Sequence, residues 1–269
     1  MLKRTIVGLL LVPVLLVVIF ATPTIVTAIF VSLFAAVAVH EMLWGTKLVR
    51  HPRMLAYTML AAAAVPIWSY YGCNGIAMLL GVLALYILLF MEIMISGTKI
   101  PFSQAACCMA AGLIVPYMFS ALVRILRMDM GLYVILMPFA AAFLSDIGAY
   151  FTGSFFGKHK LCPVISPKKT VEGLIGGIAM AVLGMVIYGL VLQLGFDLKV
   201  NYLYMVIYGL LGSLCGVFGD LSFSVIKRQT GIKDYGKIFP GHGGILDRFD
   251  SVIVVAPLIE ALLNLIPAV

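Results

Sequence analysis

Hydrophobic and polar positions in this chain neither alternate, as on a half-buried strand, nor recur every three or four residues, as on a soluble amphipathic helix. They come in blocks. Apolar stretches at 5–21, 24–45, 54–71, 75–96, 104–123, 131–151, 171–195, 203–226 and 250–267 are parted by short polar segments. A block of ~20 apolar residues has the helical length that crosses a hydrocarbon core of ~30 Å. Within a bilayer the backbone has to satisfy its own hydrogen bonds, which favours helices. The pattern predicts an all-α, polytopic membrane protein with about nine transmembrane helices, in a single integral-membrane domain over residues 1–269.

Composition agrees. The chain is 63% hydrophobic and 11% charged, with a mean hydropathy of +1.15, whereas a soluble domain has about 25% charged residues. A water-soluble core could not absorb so much apolar sequence. Lys3 and Arg4 ahead of an apolar block also describe a signal peptide. That block is long for one, no small-residue cleavage site follows, and another block begins at once, so the segment is expected to be retained.

Charge sets the orientation. With the gaps between blocks numbered alternately, 15 of the 18 basic residues fall on one side. They are Lys3 and Arg4; Lys47, Arg50 and Arg53; Lys99; Lys158, Lys160, Lys168 and Lys169; and Lys227, Arg228, Lys233, Lys237 and Arg248. Arg124, Arg127 and Lys199 take the other side. The positive-inside bias then puts the N-terminus and the 152–170 and 227–249 loops in the cytoplasm, and the C-terminus outside. The net charge of +7 is accounted for by topology and anionic headgroups, with no nucleic-acid partner expected. The cysteines (Cys73, Cys107, Cys108, Cys162 and Cys215) lack metal-ligand spacing and read as small packing residues. Gly173, Gly176, Gly177 and Gly184 suit close helix approach.

Acids in apolar sequence are costly and normally face a cavity or a partner. Under this topology His40-Glu41, Glu92, Asp146 and Asp220 lie within about two turns of the cytoplasmic ends of their spans. Asp247 and Asp250, three apart and so on one helix face, open the last span from that side. Ser224 lies one turn after Asp220. If the last two helices are antiparallel neighbours, Asp220, Asp247 and Asp250 converge. Clustered hard oxygens suit magnesium or calcium. The same residues also suit intramembrane salt bridges, Asp220 to Lys227 and Asp247 to Arg248 or Lys233, and spacing does not separate the two readings. Glu260 lies deeper, where it suits a hydrogen bond to a neighbouring helix.

Phosphate-binding features surround the acids. Gly241, Gly243 and Gly244 would leave backbone amides open to an anion, and Lys227, Arg228, Lys233, Lys237 and Arg248 would neutralise phosphate oxygens. A second patch runs from Asp146 through Gly153 and Gly157 to Ser166-Pro167-Lys168-Lys169-Thr170. Ser166 or Thr170 is expected to cap the next helix, with Pro167 near its first turn and Glu172 in it. Two lysines there oppose the helix dipole unless an anion is bound.

Ser224-x-x-Lys227-Arg228, Lys233-Asp234-x-Gly236 and Pro240-x-His242-Gly243-Gly244-x-x-Asp247-Arg248-x-Asp250 resemble the signature of the phosphatidate cytidylyltransferases, or CDP-diacylglycerol synthases. The upstream Asp146, Ala149-Tyr150, Gly153, Phe156-Gly157 and Ser166-Pro167-x-Lys169-Thr170-x-Glu172-Gly173 are similar to the same family. The motifs concentrate in residues 145–250; the first 130 residues share only apolar spans with it.

The resemblance implies that CTP and phosphatidate react, with one or two Mg2+ ions, to give CDP-diacylglycerol and pyrophosphate. It assigns Asp220, Asp247 and Asp250 to the metal, and Lys227, Lys233, His242 and Arg248 to catalysis. Substrate binding would fall to Asp146, Ser166, Lys168, Lys169, Thr170, Ser224, Arg228, Gly243 and Gly244. For His242, proton relay and orientation of the glycine turn are both open. The implied partners are CTP, phosphatidate and the lipid bilayer, with a homodimer left open. The implied location is a bacterial inner (plasma) membrane with the active site facing the cytoplasm. Rival readings are a CTP-dependent lipid kinase and an ion-coupled transporter.

Overall fold

The structure is a computed structural model that describes residues 13–72, 75–239 and 243–269. Residues 13–20 are helical (α1); the expected 5–21 span otherwise lies outside the described residues. Helix α2, Thr24–His40, runs into a π-helical turn, Glu41–Gly45. There follow α3, Pro52–Tyr71; α4, Gly75–Ile95; α5, Phe102–Phe119; and two short helices, α6, Ala121–Leu126, and α7, Gly131–Val134. Helix α8 is Met137–Phe156, a hairpin of β1, Lys160–Cys162, and β2, Ser166–Thr170, comes next, and the chain ends with α9, Val171–Phe196, α10, Tyr202–Gln229, and α11, Leu246–Leu265.

Six helical stretches among the described residues are long and apolar enough to cross a membrane: Thr24–Gly45, Gly75–Ile95, Phe102–Leu126, Gly131–Phe156, Val171–Phe196 and Tyr202–Gln229. About nine were expected. Helices α3 and α11 form where the sequence predicts them, at 20 residues each, but stand outside the six; α11 carries Asp247, Arg248, Asp250 and Glu260.

The all-α expectation also meets a small exception. Strands β1 and β2 pair antiparallel, with Lys160 opposite Thr170 and Cys162 opposite Ser166. Pro167 therefore sits in a strand and not in the first turn of α9. A two-stranded ribbon leaves each strand a free edge, where a proline's missing N–H costs no ladder bond.

The single domain expected from sequence packs as two compact units, Met1–Arg127 with Gln229–Phe249, and Met128–Arg228 with Asp250–Val269. In the first, α2, α3 and α5 bury small and branched side chains, among them Ala35, Val39, Ala62, Ala105 and Val115. Helix α4 buries only Leu85, Leu89 and Glu92, leaving the apolar girdle that a lipid-facing helix shows. In the second unit, α8 and α9 approach backbone to backbone. A Cβ on Gly148 would lie 2.7 Å from the Gly176 carbonyl oxygen, and one on Gly177 would lie 2.8 Å from that of Ser145. Van der Waals contact of this closeness replaces the hydrophobic drive that helices lack in lipid. Gly219 on α10 meets the Asp250 carbonyl of α11 in the same way, so these two helices are neighbours.

Candidate active site

In the second unit, α8, β2, α10 and α11 bring charged groups together. Asp146 lies on α8 about three turns before its end. Lys168 and Lys169 sit on β2 immediately before Thr170, which caps α9 by accepting the Gly173 N–H at 3.1 Å. Of the two expected caps, Thr170 is the one used. Glu172 folds back from the first turn to accept the backbone N–H of Lys158 at 3.1 Å and to meet His159 Nδ1 at 2.6 Å. This closes the start of the hairpin. The far end is held by Arg228 Nε, which donates to the Ile165 carbonyl at 3.2 Å.

Two lysines at a helix N-terminus are unfavourable by the dipole alone. Here Lys169 Nζ turns to Asp220 Oδ2 at 2.6 Å, so a carboxylate supplies the compensating charge. The salt-bridge reading of Asp220 thus gains Lys169 as a partner beside the Lys227 expected on its own helix. Ser224 Oγ donates to Asp220 Oδ1 at 3.3 Å, as the one-turn spacing predicts. The Asp220 and Asp250 carboxyl groups lie close enough to act on each other. Lys227, buried two turns beyond Asp220, acts on both carboxylates, and Asp146 on Asp250.

Beside this cluster lies a cavity of ≈ 190 Å³. Asp146, Lys168, Lys169 and Thr170 form its polar part, and Tyr150, Leu161, Leu174 and Val217 its apolar part. The mixture suits a ligand with a charged end and an apolar remainder. Ser166 does not line it.

Two neighbouring carboxylates repel each other unless a proton or a cation offsets their charge. Magnesium commonly takes one or two carboxylates and fills its remaining positions with water and substrate phosphates. Asp220 and Asp250, hard oxygen donors beside an open cavity, fit that pattern. Among the described residues no group of three or more His, Cys, Asp or Glu is disposed to hold a metal ion.

The third expected ligand, Asp247, belongs to the first unit and is engaged there. Its Oδ2 accepts the backbone N–H of Tyr235 at 2.8 Å and of Gly244 at 3.0 Å, and the residue is buried. The Gly244 amide, expected to be open to an anion, is therefore committed to a carboxylate. Gly243 takes φ +83, a left-handed conformation that favours glycine, and its carbonyl accepts the Phe239 N–H at 2.9 Å. Lys233 and Arg248 are exposed. His242 and Gly241 lie outside the described residues.

The sequence reading noted Glu41 as an intramembrane acid but gave it no place in the site. In the structure it is buried and bonded to the signature segment. Its Oε1 accepts the Ile245 N–H at 3.2 Å and its Oε2 the Leu246 N–H at 2.9 Å. Position near the end of a span was the only signal, because its partners are backbone groups.

Comparison with known proteins points one way. Residues 2–266 match the Cytidylyltransferase family. The chain is 40% identical over 185 residues to a phosphatidate cytidylyltransferase of Staphylococcus epidermidis, covering 68% of each protein. It is 36% identical over 242 residues to the one from Bacillus subtilis strain 168, covering 88% of each. With that of Staphylococcus aureus strain COL it shares 36% identity over 243 residues, 88% of this chain and 90% of the relative.

Proposed function

We propose a function from one premise: the chain belongs to the cytidylyltransferase family. It is an integral membrane nucleotidyltransferase that converts CTP and phosphatidate to CDP-diacylglycerol and pyrophosphate, a step of phospholipid biosynthesis. The observation that carries this is the extent of the likeness, 88% of both chains for the Bacillus subtilis relative. The charged cluster beside a half-apolar cavity supports it chemically. One substrate cannot leave the bilayer and the other cannot enter it, so the reaction needs fixed charge at the membrane boundary.

Chemically, a phosphatidate phosphate oxygen attacks the α-phosphorus of CTP. A new P–O bond forms, the bond to the β-phosphate oxygen breaks, and pyrophosphate leaves with its electron pair. Such transfers rest on positioning and charge stabilisation and need no covalent protein intermediate. Lys168, Lys169 and Lys227 neutralise phosphate oxygens, and Lys169 exchanges its Asp220 contact for one. Lys233 and Arg248, exposed on the signature segment, meet the triphosphate. Asp220 and Asp250 hold one or two Mg2+ ions, which supply Lewis-acid charge neutralisation when bound. Asp247 serves by shaping the glycine turn.

In the full topology the chain crosses the membrane about nine times, with its N-terminus and the 152–170 and 227–249 loops cytoplasmic. The site faces the cytoplasm of a bacterial inner membrane. The charge bias and the bacterial relatives support the placement.

The test uses protein purified in detergent with phosphatidate and Mg2+. CTP labelled in cytidine should label the lipid, and CTP labelled at the γ-phosphate should label only pyrophosphate. Transfer of the γ label to lipid would mean a kinase and overturn the reading.

A further inference from the structure

Glu41 is 204 residues upstream of Ile245 in sequence and outside both motifs, yet it is built into the signature segment. It opens the π-helical turn Glu41–Gly45 that ends α2. Such turns shift side chains out of the α-helical register and are frequent at functional sites. This one presents two residues to the segment. Glu41 receives Ile245 and Leu246, and Gly45 leaves room for the Tyr235 carbonyl, which a Cβ there would strike.

The chemistry of the contact calls for a carboxylate. Ile245 and Leu246 are the residues at which α11 begins, and the first N–H groups of a helix have no partner within it. Both are buried, so water does not serve them, and an unpaired buried N–H is costly. Glu41 accepts one with each oxygen and lays its negative charge on the positive end of the helix dipole. A glutamine would accept one and turn an NH2 against the other.

The glycines of the signature give an independent sign. A Cβ on Gly236 or on Gly244 would collide with the Glu41 carboxyl group. Neither position has a positive φ, so backbone conformation does not explain a glycine at either. Room for Glu41 does. Asp247 meets the same loop from within, through Tyr235 and Gly244. Two buried carboxylates thus hold Tyr235 and residues 244–246 by four backbone amides.

We propose that Glu41 is a positioning residue for nucleotidyl transfer: it fixes the start of α11 and hence the setting of Arg248 and Asp250, and Gly236 and Gly244 are glycines to admit it. The proposal rests on the cytidylyltransferase reading.

The test takes full-length wild type, E41Q, E41D, G244A and E41D/G244A in detergent, varying CTP, phosphatidate and Mg2+ separately and recording thermal melts. In E41Q, kcat should fall at least ~10-fold, as loss of hydrogen bonds to a charged group implies. The KM for CTP and the half-saturating Mg2+ concentration should rise while the KM for phosphatidate holds. A folding defect alone lowers the active fraction and moves none of these constants. E41D retracts the carboxylate by one methylene, so it should impair the wild type yet restore part of the activity lost in G244A.

E41Q turnover within threefold of wild type would overturn the proposal. So would constants unchanged at reduced Vmax, or E41D and G244A losses that simply multiply. Should E41Q fail to fold, the E41D and G244A pair decides alone. A wild type without CTP-dependent lipid labelling would instead sink the functional reading, so the two failures are distinct.

Discussion

Asp220, just before the signature, and Asp247, near its end, lead different lives. Asp220 meets Lys169, Ser224 and Asp250 through side chains, whereas Asp247 spends an oxygen on two backbone amides. Variants that remove what each carboxylate supplies should therefore fail differently. Asp220→Asn and Asp250→Asn remove charge from the proposed metal pair. They are expected to lose at least ~100-fold in CDP-diacylglycerol formation, the scale of removing one group that stabilises a transition state, with unchanged size-exclusion profiles. Asp247→Ala should cost about 1–3 kcal/mol of stability by leaving the buried Tyr235 and Gly244 N–H groups without their acceptor, seen as a lower melting temperature in detergent. Retained turnover in Asp250→Asn removes it from the site; an unshifted melt in Asp247→Ala removes its structural role. Side-chain pairs at helical spacing, such as Asp220 with Ser224, were legible in the sequence because periodicity places them. The bonds of Glu41 and Asp247 were not legible because their partners are main-chain N–H groups, which every residue but proline carries. Lys169 was expected to meet a phosphate, and its partner here, Asp220, lies on a helix that spacing could not bring near.

Among the elements, α8 and α9 carry most of the site's geometry. Asp146 comes from one, and Lys168 and Lys169 are fixed by the cap of the other. Their close approach depends on Gly177, whose Cβ would lie 2.8 Å from the Ser145 carbonyl oxygen and 3.3 Å from the Ala149 Cβ. Gly177→Val should force the pair apart, costing about 1–3 kcal/mol as overpacking and lowering the melting temperature and activity together. Gly195→Ala, at a position with nothing within 4 Å, should do neither. Equal behaviour of the two variants would mean the contact is slack. Helix α8, expected over 131–151, is Met137–Phe156. Helix α9 was legible almost to the residue because length and hydropathy fix a span: 171–195 was expected and Val171–Phe196 is observed. The hairpin was not. Its strands hold three and five residues, too few to show alternation, and Ser-Pro-Lys-Lys-Thr reads more readily as a loop leading to a cap. Glu172 and Arg228, which pin its two ends, bond largely to backbone there and left no pattern.

For the whole molecule, orientation is the step on which everything else turns, since CTP reaches only one face. Within the second unit α9 is 26 residues long, ~39 Å at 1.5 Å per residue, more than the hydrocarbon thickness. Lys158, before the hairpin at its N-terminal end, and Lys199, beyond its C-terminal end, therefore belong to opposite sides of the bilayer. The charge bias assigns Lys158 to the cytoplasm, and both residues are exposed. In a cysteine-free background, Lys158→Cys should react with an impermeant maleimide only in inverted vesicles. Lys199→Cys should react only in right-side-out spheroplasts. Lys237→Cys, in the signature segment, should follow Lys158→Cys. If the pattern is reversed, the lysine and aspartate cluster faces away from the nucleotide pool, and the family's reaction would need CTP outside the cell. If Lys237→Cys follows Lys199→Cys, the number of crossings between α9 and the signature segment is wrong by one, and the cytoplasmic site loses its second half.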